Sequence, residues 1–183
     1  MRDFTLIFGC MFAGKTTRLI EMFNYSSFLD AEKLSIKPLM DNRYQAEKIN
    51  THSGLQIPGH RISKPEEIYP LLGEAIKEVY MDEIQFFSEN MITIISELNS
   101  QGIKVVAAGL DKDYLGRDFG IFPLLVKMAT ERIELKAKCE ICGNVAAYTH
   151  RKVDSNELLL IAGKEIYTAR CQTHWLAGLE IRS

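Results

Sequence analysis

The 183-residue sequence contains no apolar run approaching the ~18 residues that cross a bilayer, so no membrane-spanning helix is expected. It also lacks an excess charge of either sign. Twenty-two Lys and Arg stand against 24 Asp and Glu, and the net charge of −2 offers no broad field for nucleic acid or anionic lipid. No internal repeat and no low-complexity segment interrupts it. Cysteine is scarce, and its four copies are placed unlike a disulfide framework: Cys10 is alone near the start, while Cys139, Cys142 and Cys171 lie late. What remains is ordinary for a globular protein, 46% hydrophobic and 25% charged, with length enough for one good core and a small appendage.

Against that background one stretch is specific. Gly9-Cys10-Met11-Phe12-Ala13-Gly14-Lys15-Thr16-Thr17 fits the GxxxxGK[ST] pattern of a phosphate-binding loop. The apolar run Phe4 to Phe8 before it reads as a strand, and Lys15 to Leu29 after it as a helix, so the motif falls at a strand-to-helix hand-over. Free backbone N–H groups and the positive end of the helix dipole attract phosphate there. Gly9 and Gly14 permit the tight path, Lys15 can bridge outer phosphates, and the Thr16 hydroxyl can ligate magnesium. The bland alternative is a chance match in a turn. A motif starting at Gly9 leaves no room for a leader peptide, and a reducing, cytoplasmic setting is expected.

Further along, Asp30 to Glu32 reads as a turn and Lys33 to Met40 as a strand, with Pro38 marking an edge or a strand end. Asp41 to Ile62 shows no clean period and reads as a long polar connection, functional or simply solvated. Glu66 to Leu72 is a short helix candidate and Ala75 to Met81 a strand. Met91, Ile94, Ile95 and Leu98 have helical spacing, closed by Gln101-Gly102, and Ile103 to Ala108 is a continuous apolar strand. This alternation predicts an α/β domain with a mostly parallel sheet over residues 1–135. Short β-like runs, Ala146 to Arg151, Leu158 to Ala162 and Ile166 to Arg170, predict a second small domain over 136–183.

Two constellations carry chemistry. Asp82-Glu83 ends an apolar strand: Asp82 is placed to hold magnesium, and Glu83 to act as a general base toward an acceptor hydroxyl. The structural alternative is an acidic pair stabilising a helix dipole. Of Phe86 and Phe87, one is expected in the core and its neighbour at a cleft. Late in the chain, the CxxC of Cys139 and Cys142 and the CxxH of Cys171 and His174 complete the four ligands of a closed structural zinc site, with Gly143 shaping the knuckle. A redox CxxC is the rival reading, and His150 an alternative fourth ligand. His52 and His60 read as exposed.

Together GCMFAGKTT, MDEIQFF, AAGLDKDYLGRDFG and YTARCQTH resemble the type II, cellular-type thymidine kinases, in order and over essentially the whole chain. The resemblance implies a RecA-like domain and a small zinc-held β domain with a lasso loop. It implies transfer of the ATP γ-phosphate to the 5′-hydroxyl of thymidine or deoxyuridine, and assembly as a homotetramer. Glu83 would be the base, Asp82, Thr16 and Asp41 the magnesium residues, and Gly9 to Thr16, Arg43, Asp82 and Gln85 the ATP side. Met11, Phe86, Leu110, Tyr114, Phe119 and Tyr167 would wall the nucleoside pocket, Tyr167 from the lasso between Leu160 and Tyr167. Leu115, Asp118 and Tyr114 depart from the family pattern at the rim of the acceptor site. A reading from another class is a nucleic-acid-dependent ATPase using the zinc domain as its reader, which the missing basic stripe disfavours.

Overall fold

The computed structural model describes residues 3–40, 48–51, 54–153 and 163–180. It begins with β1 (Phe4–Phe8), an interior strand of the sheet paired in parallel on both sides. The chain leaves β1 through the phosphate-loop motif into helix α1 (Lys15–Tyr25), then enters β2 (Lys33–Pro38). A hairpin of β3 (Lys48–Asn50) and β4 (Gln56–Pro58) precedes β5 (His60–Ile62). A 3-10 segment, Pro65–Leu71, leads to β6 (Glu78–Met81), followed by α2 (Asn90–Ser100) and β7 (Lys104–Gly109). Helix α3 (Phe122–Met128) then returns the chain to β8 (Glu131–Glu134). The six strands of the central sheet run in the order β5-β2-β6-β7-β1-β8, and every pairing is parallel.

Alternation along the strands divides the core between the two faces, as a sheet covered on both sides requires. Phe4, Leu6, Val79, Met81, Val105 and Ala107 pack with Met91, Ile94, Ile95 and Leu98 of α2 and with Phe122 and Leu125 of α3. The intervening residues Ile7, Tyr80, Val106 and Ala108 pack with Leu19, Ile20 and Phe23 of α1. The apolar spacing read for α2 is thus the spacing of its buried face.

Several expectations are revised. Helix α1 stops at Tyr25 rather than Leu29: Ser26 turns to an extended backbone (ψ 141°), its hydroxyl accepts the Phe28 N–H (3.2 Å), and the Leu29 N–H then donates to the Glu32 carboxylate (2.8 Å) while Glu32 N–H returns a bond to Leu29 C=O. That local turn takes the chain out of the helix, and Tyr25 and Leu29 are exposed. Pro38 does end its strand, but β2 lies inside the sheet, between β5 and β6. The connection after Met40 is not structureless: β3 and β4 bury Ile49 and Ile57, and β5 adds the edge strand beside β2. Three-residue strands are too short to show a period. Asp41, Arg43, His52 and the Leu158 to Ala162 run lie outside the described residues.

After β8 the chain leaves the sheet. Two small antiparallel ladders follow, β9 (Ala137–Lys138) with β10 (Val145–Ala146), and β11 (Tyr148–Arg151) with β12 (Tyr167–Arg170). Helix α4 (Gln172–Glu180), which the spacing did not predict, closes the described chain. Among the described residues, no helix is long and apolar enough to cross a membrane.

Ile95 is fully buried between α2 and the sheet. Ile95→Ala is expected to lower unfolding stability by about 2–5 kcal/mol in urea titration, the range for emptying such a site.

Candidate active site

The motif residues assemble at the carboxyl ends of the central strands, where open parallel sheets place ligands. The phosphate-binding loop follows β1, Asp82 and Glu83 follow β6, and Leu110 follows β7. Gly9 turns at φ 143°, and a side chain there would bring Cβ within 2.0 Å of the Leu135 carbonyl, so only glycine fits. Gly14 at φ 87° precedes α1, and Phe12 also has positive φ, 65°.

Two contacts fix the loop's charged end. Lys15 Nζ donates to Cys10 C=O (2.9 Å), folding the ammonium back over the loop. Burial pushes the lysine below its ordinary pKa, against the opposing pull of Glu83, Cys10, Asp82 and Asp111. The Thr16 hydroxyl donates to the Asp82 carboxylate, 3.1 Å to Oδ2. Asp82 is itself buried, its N–H donating to Ile36 C=O (3.0 Å). A hydroxyl and a carboxylate meeting beside a phosphate loop form an oxygen donor set of the kind magnesium takes.

Glu83 stands out by its backbone. At φ 52° and ψ 42° it lies in the left-handed region, rarely occupied by a non-glycine residue and associated with functional sites. The Gln85 side chain holds it there: Nε2 donates to Glu83 Oε2 (2.7 Å), while Oε1 accepts the Leu110 N–H (3.0 Å). Gln85, expected on the ATP side, is therefore placed as a buried bridge between the β6 and β7 ends. Gly109 and Gly120 press against it; a Cβ at Gly120 would lie 2.3 Å from the Gln85 carbonyl.

The aromatic pair divides as expected, with Phe87 in the core and Phe86 half-buried, edge-on to Phe119 at 5.5 Å between centroids. Leu110 is buried at the start of the segment that carries Tyr114 and Phe119. Asp113 shapes that segment by accepting the Leu115 and Arg117 N–H groups and pairing with the Arg117 guanidinium (2.8 Å). Leu115 is exposed, and Asp118 bridges back to Lys112. Tyr114 lies under the Arg151 guanidinium (3.7 Å to the ring centre), and Arg151 Nη2 donates to the Tyr167 hydroxyl (3.0 Å).

Three contributors were not legible beforehand. The Thr149 hydroxyl accepts the Met11 N–H (3.0 Å) from 138 residues away. Arg151 is wholly buried behind the two tyrosines. Asp111, next to Leu110, has a buried Oδ1 without a hydrogen-bond partner among the described residues, and burial raises its pKa despite Lys112 and Lys15. Thr149 and Arg151 depend on long-range register, for which the sequence carries no local signal.

Behind the loop, the ligand atoms of Cys139, Cys142, Cys171 and His174 lie within 4.8 Å of one another. The Cys142 and Cys171 sulfurs are 3.9 Å apart, Cys139 Sγ and His174 Nδ1 3.7 Å, and Cys171 Sγ and His174 Nδ1 3.2 Å. Tetrahedral zinc with thiolates at ~2.3 Å spaces its ligands by roughly 3.7 Å, so the residues fit that ion. The sulfurs are too far apart for a disulfide. Although burial opposes it, backbone N–H groups around Cys139 pull its thiol down to about 6, toward the thiolate that binds metal. Gly143 at φ 74° returns its N–H to Cys139 C=O (2.8 Å) and closes the knuckle. His150 is buried outside this cluster, and His60 is exposed on β5.

A family model described as thymidine kinase matches residues 2–175. The chain belongs to the thymidine kinase family. It is 35% identical over 175 residues to a thymidine kinase of Coprothermobacter proteolyticus, covering 92% of this chain and 88% of that protein. To a thymidine kinase of Mycoplasma capricolum it is 36% identical over 178 residues, covering 91% and 85%. Membership in this family does not favour the nucleic-acid-dependent ATPase reading.

Gln85→Leu keeps the volume but removes both ends of the bridge and strands the Leu110 N–H. A loss of about 1–3 kcal/mol in unfolding stability is expected by urea titration.

Proposed function

We propose that this chain transfers the γ-phosphoryl group of ATP to the 5′-hydroxyl of thymidine, and of deoxyuridine. One observation carries the chemistry: Lys15, the Thr16–Asp82 contact and the strained, Gln85-held Glu83 come together at the carboxyl ends of β1 and β6. Family membership supports the nucleoside as acceptor.

In this reading the ATP phosphates lie along Gly9, Cys10, Met11, Phe12, Ala13, Gly14, Lys15 and Thr16, where loop N–H groups and the start of α1 face them. Lys15 spreads the charge that builds on the transferred group, with Arg43 adding to it. Thr16 and Asp82 would hold magnesium, with Asp41 as a further candidate; the ion, when bound, would neutralise charge on the phosphates. Glu83 accepts the 5′-hydroxyl proton as that oxygen bonds to the γ-phosphorus. The bond from that phosphorus to the bridging oxygen breaks, and ADP leaves with the electron pair. Met11, Phe86, Leu110, Tyr114, Phe119 and Tyr167 surround the nucleoside, the edge-on Phe86–Phe119 pair forming one wall. Gln85 acts by aiming Glu83.

Zinc, held by Cys139, Cys142, Cys171 and His174, serves the fold. Residues 1–135 form the kinase domain and 136–183 the zinc-held lasso domain of a cytoplasmic homotetramer.

A panel of nucleosides offered with ATP and magnesium tests the reaction. Thymidine and deoxyuridine are expected to be phosphorylated, and inactivity on both would overturn the proposal. Glu83→Gln is expected to cut kcat by about 100-fold or more while ATP binding persists, the scale of a lost general base. Near wild-type turnover would remove Glu83 from that role. Cys171→Ser is expected to reduce bound zinc well below the roughly one ion per chain that a closed site holds, and to lower Tm; metal analysis and calorimetry check both.

A further inference from the structure

Trp175 is the residue after the zinc-ligand candidate His174, in the first turn of α4, and its N–H donates to Cys171 C=O (2.9 Å). Its backbone position is therefore set by the ligand turn. Its side chain is buried and reaches away from that turn, into the segment that carries Tyr114. The indole Nε1–H donates to the Tyr114 carbonyl (3.1 Å), a contact spanning 61 residues. The ring stacks on Tyr148 of β11, with centroids 4.5 Å apart and planes 19° from parallel. Gly116, at φ 77°, lies so close that a Cβ there would come within 2.7 Å of Cη2 and 2.8 Å of Cζ2. One side chain thus grips the 114–116 turn by a hydrogen bond and by shape.

The grip does not end at Tyr114. That ring is covered by the Arg151 guanidinium, and Arg151 bonds the Tyr167 hydroxyl, opposite it in the β11/β12 ladder. Both tyrosines of the proposed pocket are thereby tied to a residue adjoining the metal cluster. The donor side has other supports, Leu135 against Gly9 and Asp82 against Thr16.

We propose that Trp175 is a positioning residue for the nucleoside: it transmits the order of the metal-held turn to Tyr114 and, through Arg151, to Tyr167. The proposal rests on the reading that these tyrosines wall the nucleoside site. Without the anchor, substrate binding must itself order the segment, and affinity falls by that cost. The effect belongs on the thymidine KM, leaving kcat and the ATP KM nearly alone.

Trp175→Phe keeps a stacking ring and removes the N–H. Its thymidine KM is expected to rise about three- to tenfold, the scale of one lost hydrogen bond, with kcat and the ATP KM within about twofold. Trp175→Leu removes the stack as well and is expected to raise the thymidine KM further. Gly116→Ala, which crowds the indole from the other side with Trp175 in place, is expected to raise the same constant. Unchanged thymidine KM in all three, or an equal rise in the ATP KM, overturns the proposal.

Trp175 is the only tryptophan in the chain, so indole emission reports on it without turnover. In the wild type, stripping the metal with a chelator is expected to shift that emission to the red. Unchanged emission in protein shown to be metal-free overturns the link to the ligand turn. Wild-type protein inactive on every nucleoside overturns the underlying reading, whereas active wild type with indifferent Trp175 variants overturns this proposal alone.

Discussion

A loop that binds phosphate must keep its backbone N–H groups free of one another, so it cannot be held by the bonds that hold a helix or a strand. It has to be gripped from outside, and much of this structure follows from how that is done. Gly9 slots under the Leu135 carbonyl as the chain leaves β8. Cys10 Sγ reaches the Ala146 carbonyl (3.5 Å), and Thr149 takes the Met11 N–H. Asp82, at the end of β6, takes the hydroxyl of Thr16. The loop between the first strand and the first helix is therefore set by residues that come 66 to 138 positions later.

The second constraint is strain. A non-glycine residue in the left-handed region costs on the order of 1 kcal/mol or more and persists only where its surroundings insist on it. At Glu83 they do: its N-terminal neighbour Asp82 is bonded back to β2, and its carboxylate is held by Gln85. Gln85 in turn has no slack, since Gly109 and Gly120 lie against it and the Leu110 N–H occupies its oxygen. The same amide thus joins the acid at the end of β6 to the first wall residue after β7. Charge near Lys15 and shape near Leu110 are adjusted together.

Local pattern carried the parts of the fold that repeat over several residues. Phe4 to Phe8, the α2 face and the apolar run of β7 were legible because a strand or helix of that length buries residues at a fixed period. The Cys and His spacing was legible because a tetrahedral ion needs ligands on two tight turns. The hairpin of Ile49 and Ile57 was not, since two buried positions make no period. Nor was the end of α1, where Ser26 turns extended and its hydroxyl takes the Phe28 N–H although Phe28 and Leu29 continue the apolar pattern. Thr149, Arg151 and Trp175 act through contacts whose partners are far away in sequence, so their types gave no hint of their places.

Where the late segment meets the phosphate loop it has few large groups to bury, which accounts for a metal cluster at that place. Its core with the phosphate loop is Cys10, Cys139, Ala146 and Ala169, with Phe12, Ala13, Ala137 and Cys171 at the margin. Such small side chains remove little apolar area, and at roughly 25 cal/mol per Å² they cannot offset the ordering of two short ladders and their turns. A four-ligand ion supplies that deficit without adding bulk. But half of the buried pair of cysteines in this core, Cys10, belongs to the loop itself. The segment therefore cannot loosen alone: if Cys139 moves, the packing against Cys10, the Thr149 bond to Met11 and the Trp175 bond to Tyr114 are disturbed from one side. Donor loop and acceptor wall thus have one support in common, beside the separate hold that Leu135 and Asp82 keep on the loop, and the ion would belong to the geometry of the site although it touches neither substrate.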